Sequence, residues 1–149
     1  MENYFKELNI SALSGKTIIL DIDGTITMDR SSDIDPLVLI KIKEMNLSNN
    51  VFLFSNSKLP DRNRILAEKL QVSLLESSFK KPSRRVIDGL PNQLKSNITI
   101  IGDKVLTDGI FAKNIQADFI KIKHLQGEND SLKIKIIYIL DNIFSYLFI

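Results

Sequence analysis

The sequence contains no cysteine, no tryptophan and a single histidine, His124. The absence of cysteine excludes disulfide bonds, thiol catalysis and thiolate metal sites such as structural zinc. A single histidine excludes a multi-histidine metal site. Any metal must therefore be held by oxygen ligands, which favours Mg²⁺ or Ca²⁺. A chain without cysteine fits a reducing compartment, and we expect a cytoplasmic protein.

Excess charge and long hydrophobic runs are also missing. The net charge of +2 gives no reason to expect nucleic acid as a partner. The first seven residues carry acidic side chains and no apolar core, so we expect no secretory signal there. No stretch has the length and purity of a membrane-spanning helix, although residues 132–149 come closest.

The composition is that of a soluble globular protein, with 44% hydrophobic and 26% charged residues. The length predicts one domain over residues 1–149, with a core at about 16–124 and an apolar C-terminal segment at 131–149. Residues 1–16 are expected to form a short amphipathic lead-in, and residues 126–130 a polar link.

Strand and helix patterns alternate along the chain. Strands are expected at 17–22, 51–54, 72–75, 97–101 and 117–123, and helices at 35–47, from Pro60 to about Leu70, at 82–90 and at 106–114. The first helix should begin with Asp35 as its cap and Pro36 in its first turn. Its expected apolar face comprises Leu37, Ile40 and Met45, with Val38 and Leu39 close by. This alternation predicts an α/β fold with a parallel five-stranded sheet between two layers of helices.

Two carboxylates follow the first strand, where the sequence reads Asp21, Ile22, Asp23, Gly24 and Thr25. In extended backbone Asp21 and Asp23 project the same way, past the carboxyl end of the strand. Open α/β sheets bind their ligands there. The two carboxylates repel each other unless a cation joins them. The alternative is an ordinary turn, because Asp and Gly are common turn residues.

Polar residues also follow the other predicted strands. They are Ser55 and Asn56 after the second strand, Lys80 and Lys81 in the loop after the third, and Gly102, Asp103, Thr107 and Asp108 after the fourth. Because parallel strands end at the same edge of a sheet, we expect these side chains to lie close together.

These residues resemble four motifs of the haloacid dehalogenase-like hydrolase superfamily, in the same order. The motifs match at residues 21–25 (DxDGT), at Ser55, at residues 81–82 (Lys-Pro) and at residues 102–108 (GDxxxTD). The resemblance covers residues 17–108. It implies a Rossmann-like three-layer α/β/α fold and a Mg²⁺-dependent phosphatase.

The resemblance also implies catalytic roles. Asp21 would be the nucleophile that forms an aspartyl-phosphate, and Asp23 would act as acid and base. Mg²⁺ would be held by Asp21, by the backbone carbonyl of Asp23 and by Asp103. Asp108 would act behind these ligands or through a water on the metal, or it is an ordinary helix residue.

Four further residues are expected at the phosphoryl group. The Ser55 hydroxyl, the Asn56 backbone N–H and the Lys81 ammonium would bind its oxygens, with Thr25 in the same group, where it would steady Asp23. The structural alternatives are that Ser55 caps a turn and that Lys81 is a solvated loop lysine.

The segments between the motifs are too short for a cap domain, so we expect an open site. An open site suits a large or membrane-presented substrate. The cap-less pattern looks most like the phosphatidylglycerophosphate phosphatase-like group, although Gly24 stands where that group often has Asn. One alternative is a phosphatase of a soluble sugar phosphate, nucleotide or phosphoprotein that completes its site by homo-oligomerisation. Another is a non-catalytic phosphate- or lipid-binding module.

The tail, residues 132–149, is mostly apolar. On a helical wheel, Asp141, Asn142 and Ser145 cluster opposite a broad apolar arc. This pattern suits a helix packed on the sheet or a subunit contact, and also a peripheral membrane helix with Lys133 and Lys135 at its flank. A short strand at 132–136 is also open.

A few charged residues remain outside the motifs. Those just beyond the catalytic loops are Arg62, Arg64, Arg84 and Arg85. They are interpreted as ordinary exposed residues in preference to a rim for an anionic substrate. His124 is interpreted as a surface or strand-end residue.

Overall fold

The sheet is built around a short apolar strand whose residues are all buried, β1 (Thr17–Leu20). The computed structural model describes residues 2–128 and 130–148. The other strands are β2 (Asn50–Leu53), β3 (Ser73–Leu74), β4 (Ile98–Gly102) and β5 (Asp118–Lys121). All are parallel, in the order β3-β2-β1-β4-β5. The predicted parallel five-stranded sheet is confirmed. Strands β1, β3 and β5 are two or three residues shorter than expected, and β2 and β4 have the expected length but are shifted by one residue.

Four α-helices surround the sheet. They are α1 (Pro36–Ser48), α2 (Pro60–Leu70), α3 (Ile110–Asn114) and α4 (Leu132–Phe148). Short 3₁₀ turns occur at Phe5–Glu7, Arg84–Gly89 and Asn92–Leu94, and a π turn occurs at Val105–Gly109. The helix expected at 82–90 is therefore a 3₁₀ turn, which follows a cis peptide bond between Lys81 and Pro82. The helix expected at 106–114 is the π turn followed by α3.

Two hydrophobic cores lie on opposite faces of the sheet. On one face, Ile42 of α1 and Leu66 of α2 pack against alternate residues of β1. On the other face, Val86 and Phe111 pack against Ile19. These layers confirm the Rossmann-like α/β/α arrangement. The structure describes only α1 and β2 between the first and second motifs, and only α2 and β3 between the second and third.

Helix α1 begins where the sequence predicts. The Asp35 carboxylate accepts a hydrogen bond from the Leu37 N–H at 2.9 Å, and Pro36 lies in the first turn. The expected apolar face was only partly right. The residues of α1 that are buried are Val38, Ile42 and Met45, whereas Leu37 and Ile40 are about half exposed. Packing against the sheet selects the stripe with i, i+4, i+7 spacing, and Leu37 lies outside it.

Helix α4 packs with Asp141, one of its three clustered polar residues, facing inward. The Asp141 carboxylate accepts hydrogen bonds from the Val105 and Leu106 N–H groups at 3.0 and 2.7 Å. Most of the apolar arc faces solvent, so of the alternatives left open for the tail the structure does not support an apolar face packed on the sheet. The short strand that was also open at 132–136 is not formed, because these residues are helical. The predicted lead-in, polar link and tail include Met1, Asn129 and Ile149, and at these three positions the predictions lie outside the described residues.

No helix of the described residues is long and apolar enough to cross a membrane. Helix α4 has 17 residues and carries Lys133 and Lys135 in its first turn.

Candidate active site

Asp21 leaves the end of β1 with its backbone still in the sheet, since its N–H donates to the carbonyl of Ile101 at 2.9 Å. Its side chain is buried. One carboxylate oxygen, Oδ1, accepts from Lys81 Nζ at 2.6 Å, and Oδ2 accepts from the Thr25 hydroxyl at 3.0 Å. The sheet therefore fixes the Asp21 backbone, and two donors fix its carboxylate.

Gly24 allows the chain to turn directly after the two aspartates. Its φ of +77° lies in the left-handed region, and a Cβ there would lie 2.4 Å from Asp103 Oδ2 and from His124 Nδ1. Glycine is thus required at this position by a close approach of two side chains.

Three buried carboxylates meet at the edge of the sheet. Asp21, Asp103 and Asp108 each offer an oxygen, and these oxygens lie within 4.8 Å of one another. Lys81 Nζ lies 2.5 Å from Asp108 Oδ1 as well as 2.6 Å from Asp21 Oδ1. Lys81 therefore forms ion pairs with two of the three carboxylates, those of Asp21 and Asp108.

The electrostatics of this cluster show a surplus of negative charge. Burial raises the pKa of Asp21 to about 7 against the opposing attraction of Lys81. Burial likewise raises the pKa of Asp108. Burial alone would lower the pKa of Lys81, but attraction to Asp108 and Asp21 outweighs it and the pKa is raised. An all-oxygen site of buried, underneutralised carboxylates fits a hard divalent cation such as Mg²⁺.

Asp103 is held by donors from two distant segments. Its Oδ2 lies 2.8 Å from His124 Nδ1 and accepts from the Tyr138 hydroxyl at 2.5 Å, while the Thr25 hydroxyl lies 3.3 Å from Oδ1. The rings of His124 and Tyr138 stack with centroids 3.5 Å apart. Burial works to raise the pKa of Asp103, but its contacts with His124, Lys104 and Tyr138 outweigh it and lower the pKa. Asp103 is therefore kept ionised.

Asp23 has a separate set of partners. Its carboxylate accepts two hydrogen bonds from Arg62, at 2.9 and 2.7 Å, one from the Ser55 hydroxyl at 2.7 Å and one from the Arg30 N–H at 2.7 Å. Burial works to raise the pKa of Asp23, but these hydrogen bonds outweigh it and lower the pKa to about 2. Asp23 is therefore an ionised carboxylate paired with Arg62.

Several expectations about individual side chains are corrected by these contacts. The Arg62 side chain is only 9% exposed, so it is not an ordinary surface residue. The Ser55 hydroxyl contacts Asp23, and the Thr25 hydroxyl contacts Asp21 and Asp103 instead of steadying Asp23. His124 was interpreted as a surface or strand-end residue. It lies just beyond the end of β5, but it is not a surface residue, because its side chain is 11% exposed and its Nδ1 lies 2.8 Å from Asp103 Oδ2.

Asn56 joins the loop that follows β2 to the loop that follows β3. Its side-chain amide donates to the Lys81 carbonyl and accepts from the Lys81 N–H, both at 2.9 Å. This paired contact fixes the backbone from which the Lys81 side chain reaches Asp21. Arg64, Arg84 and Arg85 are exposed, as expected.

The site opens into a cavity of about 230 Å³, which we call the catalytic cavity. Its walls are formed by Asp21, Asp23, Asp29, Ser55, Asn56, Ser57, Lys81, Lys104, Thr107 and Ile137. The motif residues therefore meet at the carboxyl edge of the sheet. Ile137 belongs to α4, so the tail also contributes to the wall.

Sequence reasoning missed Arg62 and Tyr138 as parts of the site. Arg62 lies in a helix rich in charged residues, and the only available signal was its place just beyond the second motif. Tyr138 lies in the apolar tail, where no pattern marks it. His124 was noticed only because it is the single histidine.

Comparison with known proteins identifies the family and supports the fold. A family model described as mitochondrial PGP phosphatase matches residues 3–124. No curated protein matches the chain. A crystal structure of an uncharacterized protein from Listeria monocytogenes serotype 4b is similar in fold, with a TM-score of 0.56, 16% identity and coverage of 78% of this chain and 85% of that chain. Helix α4 lies beyond the residues that the family model matches.

Proposed function

The chain belongs to the family described as mitochondrial PGP phosphatase, and on that premise we propose a Mg²⁺-dependent phosphomonoester hydrolase that works through a phosphoaspartate. The observation that carries the proposal is the cluster of Asp21, Asp103 and Asp108 around Lys81. Phosphoryl transfer needs a nucleophile and positive charge around the transferred group. The cluster offers Asp21 as the nucleophile and the Lys81 ammonium as one positive charge, and its carboxylates would hold a divalent cation that supplies the rest.

In the first half-reaction, a carboxylate oxygen of Asp21 attacks the phosphorus and the bond to the leaving oxygen breaks. Lys81 holds Asp21 from one side and supplies positive charge at the phosphoryl oxygens. In the second half-reaction, water attacks the phosphorus of phosphorylated Asp21. Its proton passes to Asp23, inorganic phosphate leaves, and the Asp21 carboxylate is restored.

Asp23 is the proposed acid and base of this sequence. With Arg62 bound, its pKa of about 2 keeps it ionised, which suits the uptake of a proton from water. Donation to the leaving oxygen requires Asp23 to be protonated first. The proposal therefore requires the contact between Arg62 and Asp23 to loosen during the first half-reaction.

Asp21, the Asp23 carbonyl and Asp103 are the residues proposed to hold Mg²⁺, with Asp108 close behind them. When bound, Mg²⁺ would neutralise charge on the phosphoryl oxygens. His124 and Tyr138 contribute by orienting the Asp103 carboxylate, since each contacts its Oδ2. Outer partners of this kind tune the affinity of metal ligands.

The proposed substrate is a lipid phosphomonoester, with phosphatidylglycerophosphate as the first candidate. The family description supports this choice, and so does a catalytic cavity over which the described residues place no cap domain. A soluble phosphomonoester, with oligomerisation completing the site, is the second candidate.

The outward face of α4 supports a peripheral membrane contact. Its exposed apolar residues are Leu132, Ile136, Ile137, Ile139, Leu140, Ile143, Tyr146 and Leu147. The acid on this helix, Asp141, is buried, so Lys133 and Lys135 leave the exposed surface positive. Because Ile137 also lines the catalytic cavity, this face adjoins its mouth. We propose that α4 rests on an anionic lipid surface, with the protein in the cytoplasm.

A phosphatase panel tests the proposed function. It should contain phosphatidylglycerophosphate in micelles, sugar phosphates, nucleotides and a phosphopeptide, each assayed for release of inorganic phosphate. We expect the lipid to be preferred, EDTA to abolish turnover and Mg²⁺ to restore it. Full activity in chelator would exclude the proposed metal role, and no release from any phosphomonoester would contradict a catalytic function.

A further inference from the structure

Lys104 is a second cation at the catalytic cavity, and the motifs assign it no role. It follows Asp103 directly in the chain and occupies a position that the pattern GDxxxTD leaves open. Its side chain lines the cavity together with those of Asp21 and Lys81. Because the volume of this cavity is only about 230 Å³, a phosphoryl group at Asp21 lies close to its other walls.

The structure holds both the backbone and the side chain of Lys104. Its N–H donates to Asp108 Oδ2 at 3.2 Å, and its carbonyl accepts from the N–H groups of Asp108 and Gly109 at 2.8 and 3.2 Å. The ammonium lies over the ring of Tyr138, with Nζ 4.9 Å from the ring centroid. A cation over an aromatic face is attracted to it. The π turn and α4 therefore keep this ammonium at the wall of the cavity.

The hydrogen-bond donors of the Lys104 ammonium are unused. Among the residues that the structure describes, its Nζ forms neither an ion pair nor a hydrogen bond. Lys81 differs, because two of its three N–H groups are directed at Asp21 and Asp108. An anion that enters the cavity therefore finds more free donors on Lys104 than on Lys81.

The charge balance of the site leaves a role for this ammonium. The three clustered carboxylates carry three negative charges when they are ionised. Lys81 and one divalent cation would balance these charges, which leaves no positive charge for a phosphomonoester dianion. Burial works to lower the pKa of Lys104, but attraction to four carboxylates, chiefly that of Asp103, outweighs it and raises the pKa. Lys104 is therefore cationic and supplies a surplus of positive charge.

We propose that Lys104 is a catalytic residue that binds a non-bridging oxygen of the phosphoryl group transferred to Asp21. This inference rests on the proposed function, because it assumes that a phosphomonoester occupies the catalytic cavity. Charge is spread over the non-bridging oxygens in the transition state, so an ammonium fixed beside them lowers the barrier. Since Lys104 acts on the transferred group itself, its contribution is the same for every leaving group.

The test compares three variants with the wild type. Lys104→Gln removes the charge, and Lys104→Arg restores a cation at the same position. Lys113→Gln is the matched control, because Lys113 is exposed on α3 and lies outside the residues that line the catalytic cavity. Each protein is assayed on glycerol 3-phosphate and on p-nitrophenyl phosphate, which carry the same phosphoryl group on different leaving groups.

We expect Lys104→Gln to lower kcat/KM by at least about tenfold, and by the same factor on both substrates, since one charge-assisted contact is lost. Lys104→Arg should recover part of this loss, and Lys113→Gln should differ from the wild type by less than about twofold. Unchanged kcat/KM in Lys104→Gln would overturn the proposal. A loss confined to one substrate would also overturn it, because it would indicate a contact with the leaving group.

Calorimetric titration separates a contact with the phosphoryl group from indirect support of the metal site. In saturating Mg²⁺, inorganic phosphate should bind Lys104→Gln at least about tenfold more weakly than it binds Lys113→Gln. Mg²⁺ alone should bind Lys104→Gln at least as tightly as the wild type, because a positive charge beside Asp103 has been removed. Weaker Mg²⁺ binding with unchanged phosphate binding would overturn the proposal and assign Lys104 to the support of Asp103.

The phosphate titration also distinguishes failure of this proposal from failure of the proposed function. If the wild type hydrolyses no phosphomonoester, the phosphatase proposal fails, and phosphate binding still tests the contact with Lys104. Weaker phosphate binding by Lys104→Gln than by Lys113→Gln would then support that contact. Equal phosphate binding by these two variants would refute it.

Discussion

The carboxyl edge of the sheet and helix α4 distribute their side chains in opposite ways. At the edge, Asp21, Asp103 and Asp108 are buried, and each has charged or hydroxyl partners. On α4 Tyr138 and Asp141 also face inward, but Ile139 and Leu140 are 58% and 54% exposed. One region hides charge, and the other exposes apolar surface.

The two arrangements have a common cause in the site. Tyr138 donates to Asp103, and Asp141 accepts the N–H groups that begin the π turn at Val105–Gly109. Tyr138 and Asp141 of α4 therefore hold Asp103, a proposed metal ligand, and the π turn that follows it. The apolar arc is consequently left outside, which suits a helix that serves the site on one side and a lipid surface on the other.

The largest effect on stability is expected from replacing Lys81, the lysine that pairs with the buried carboxylates. Lys81→Met leaves Asp21 and Asp108 buried without their partner, so the free energy of unfolding should fall by about 3–5 kcal/mol. Denaturant titration measures this. Lys80→Met, at the exposed neighbouring position, should change it by less than about 0.5 kcal/mol. Equal stability of the two variants would show that the edge does not depend on a buried ion pair.

A smaller effect is expected at Asp23, where the pKa is lowered from 3.8 to about 2. A lowered carboxyl pKa contributes stability above pH 3.8, and that contribution is lost as the pH falls through about 2. Arg62→Gln removes most of it, so the variant should be less stable than the wild type at neutral pH. Thermal melts should show this gap narrowing between pH 4 and pH 2. Arg64→Gln, at an exposed position, should show no such gap, and a gap independent of pH would contradict the assignment.

Tyr138→Phe tests whether α4 takes part in the site. Loss of the hydroxyl removes a donor to Asp103, and we expect Mg²⁺ affinity to fall about tenfold. Calorimetric titration of Mg²⁺ without substrate measures this apart from turnover. Tyr146→Phe is the control, because Tyr146 is 89% exposed on the same helix. If both variants bind Mg²⁺ like the wild type, α4 does not support the metal site.

The smallest effect on chemistry is expected from the outward face of α4. Ile136→Ser, Leu140→Ser and Ile143→Ser together should lower binding to phosphatidylglycerol vesicles by at least about tenfold and change turnover of glycerol 3-phosphate by less than about twofold. Leu37→Ser, Ile40→Ser and Leu47→Ser provide the control, since these α1 residues are similarly exposed. Equal vesicle binding by both variants would refute the membrane contact. A dimer of the wild type that only the α4 variant loses would assign the face to a second copy.

The sequence predicts the edge of the sheet better than it predicts α4. The strands and their polar ends depend on local patterns, such as the buried run before Asp21 and the spacing from Asp103 to Asp108. The contacts of Arg62 with Asp23 and of Tyr138 with Asp103 join residues 39 and 35 positions apart. A local sequence pattern cannot predict contacts between residues so far apart in the chain. A helical wheel of α4 likewise shows which residues share a face. Which face packs against the rest of the protein depends on contacts with Asp103 and the π turn, which the wheel does not show.

The most direct test of the central claim is to trap the phosphorylated enzyme. A single turnover with Mg²⁺ and excess enzyme is quenched in acid, and the peptides are mapped by mass spectrometry. We predict one phosphorylated, hydroxylamine-sensitive carboxylate, at Asp21. In Asp21→Asn we expect no label and a loss of turnover of at least about a thousandfold with an unchanged fold, since the nucleophile is gone. Near-native turnover of Asp21→Asn, or a phosphate mapped to another residue, would contradict the mechanism.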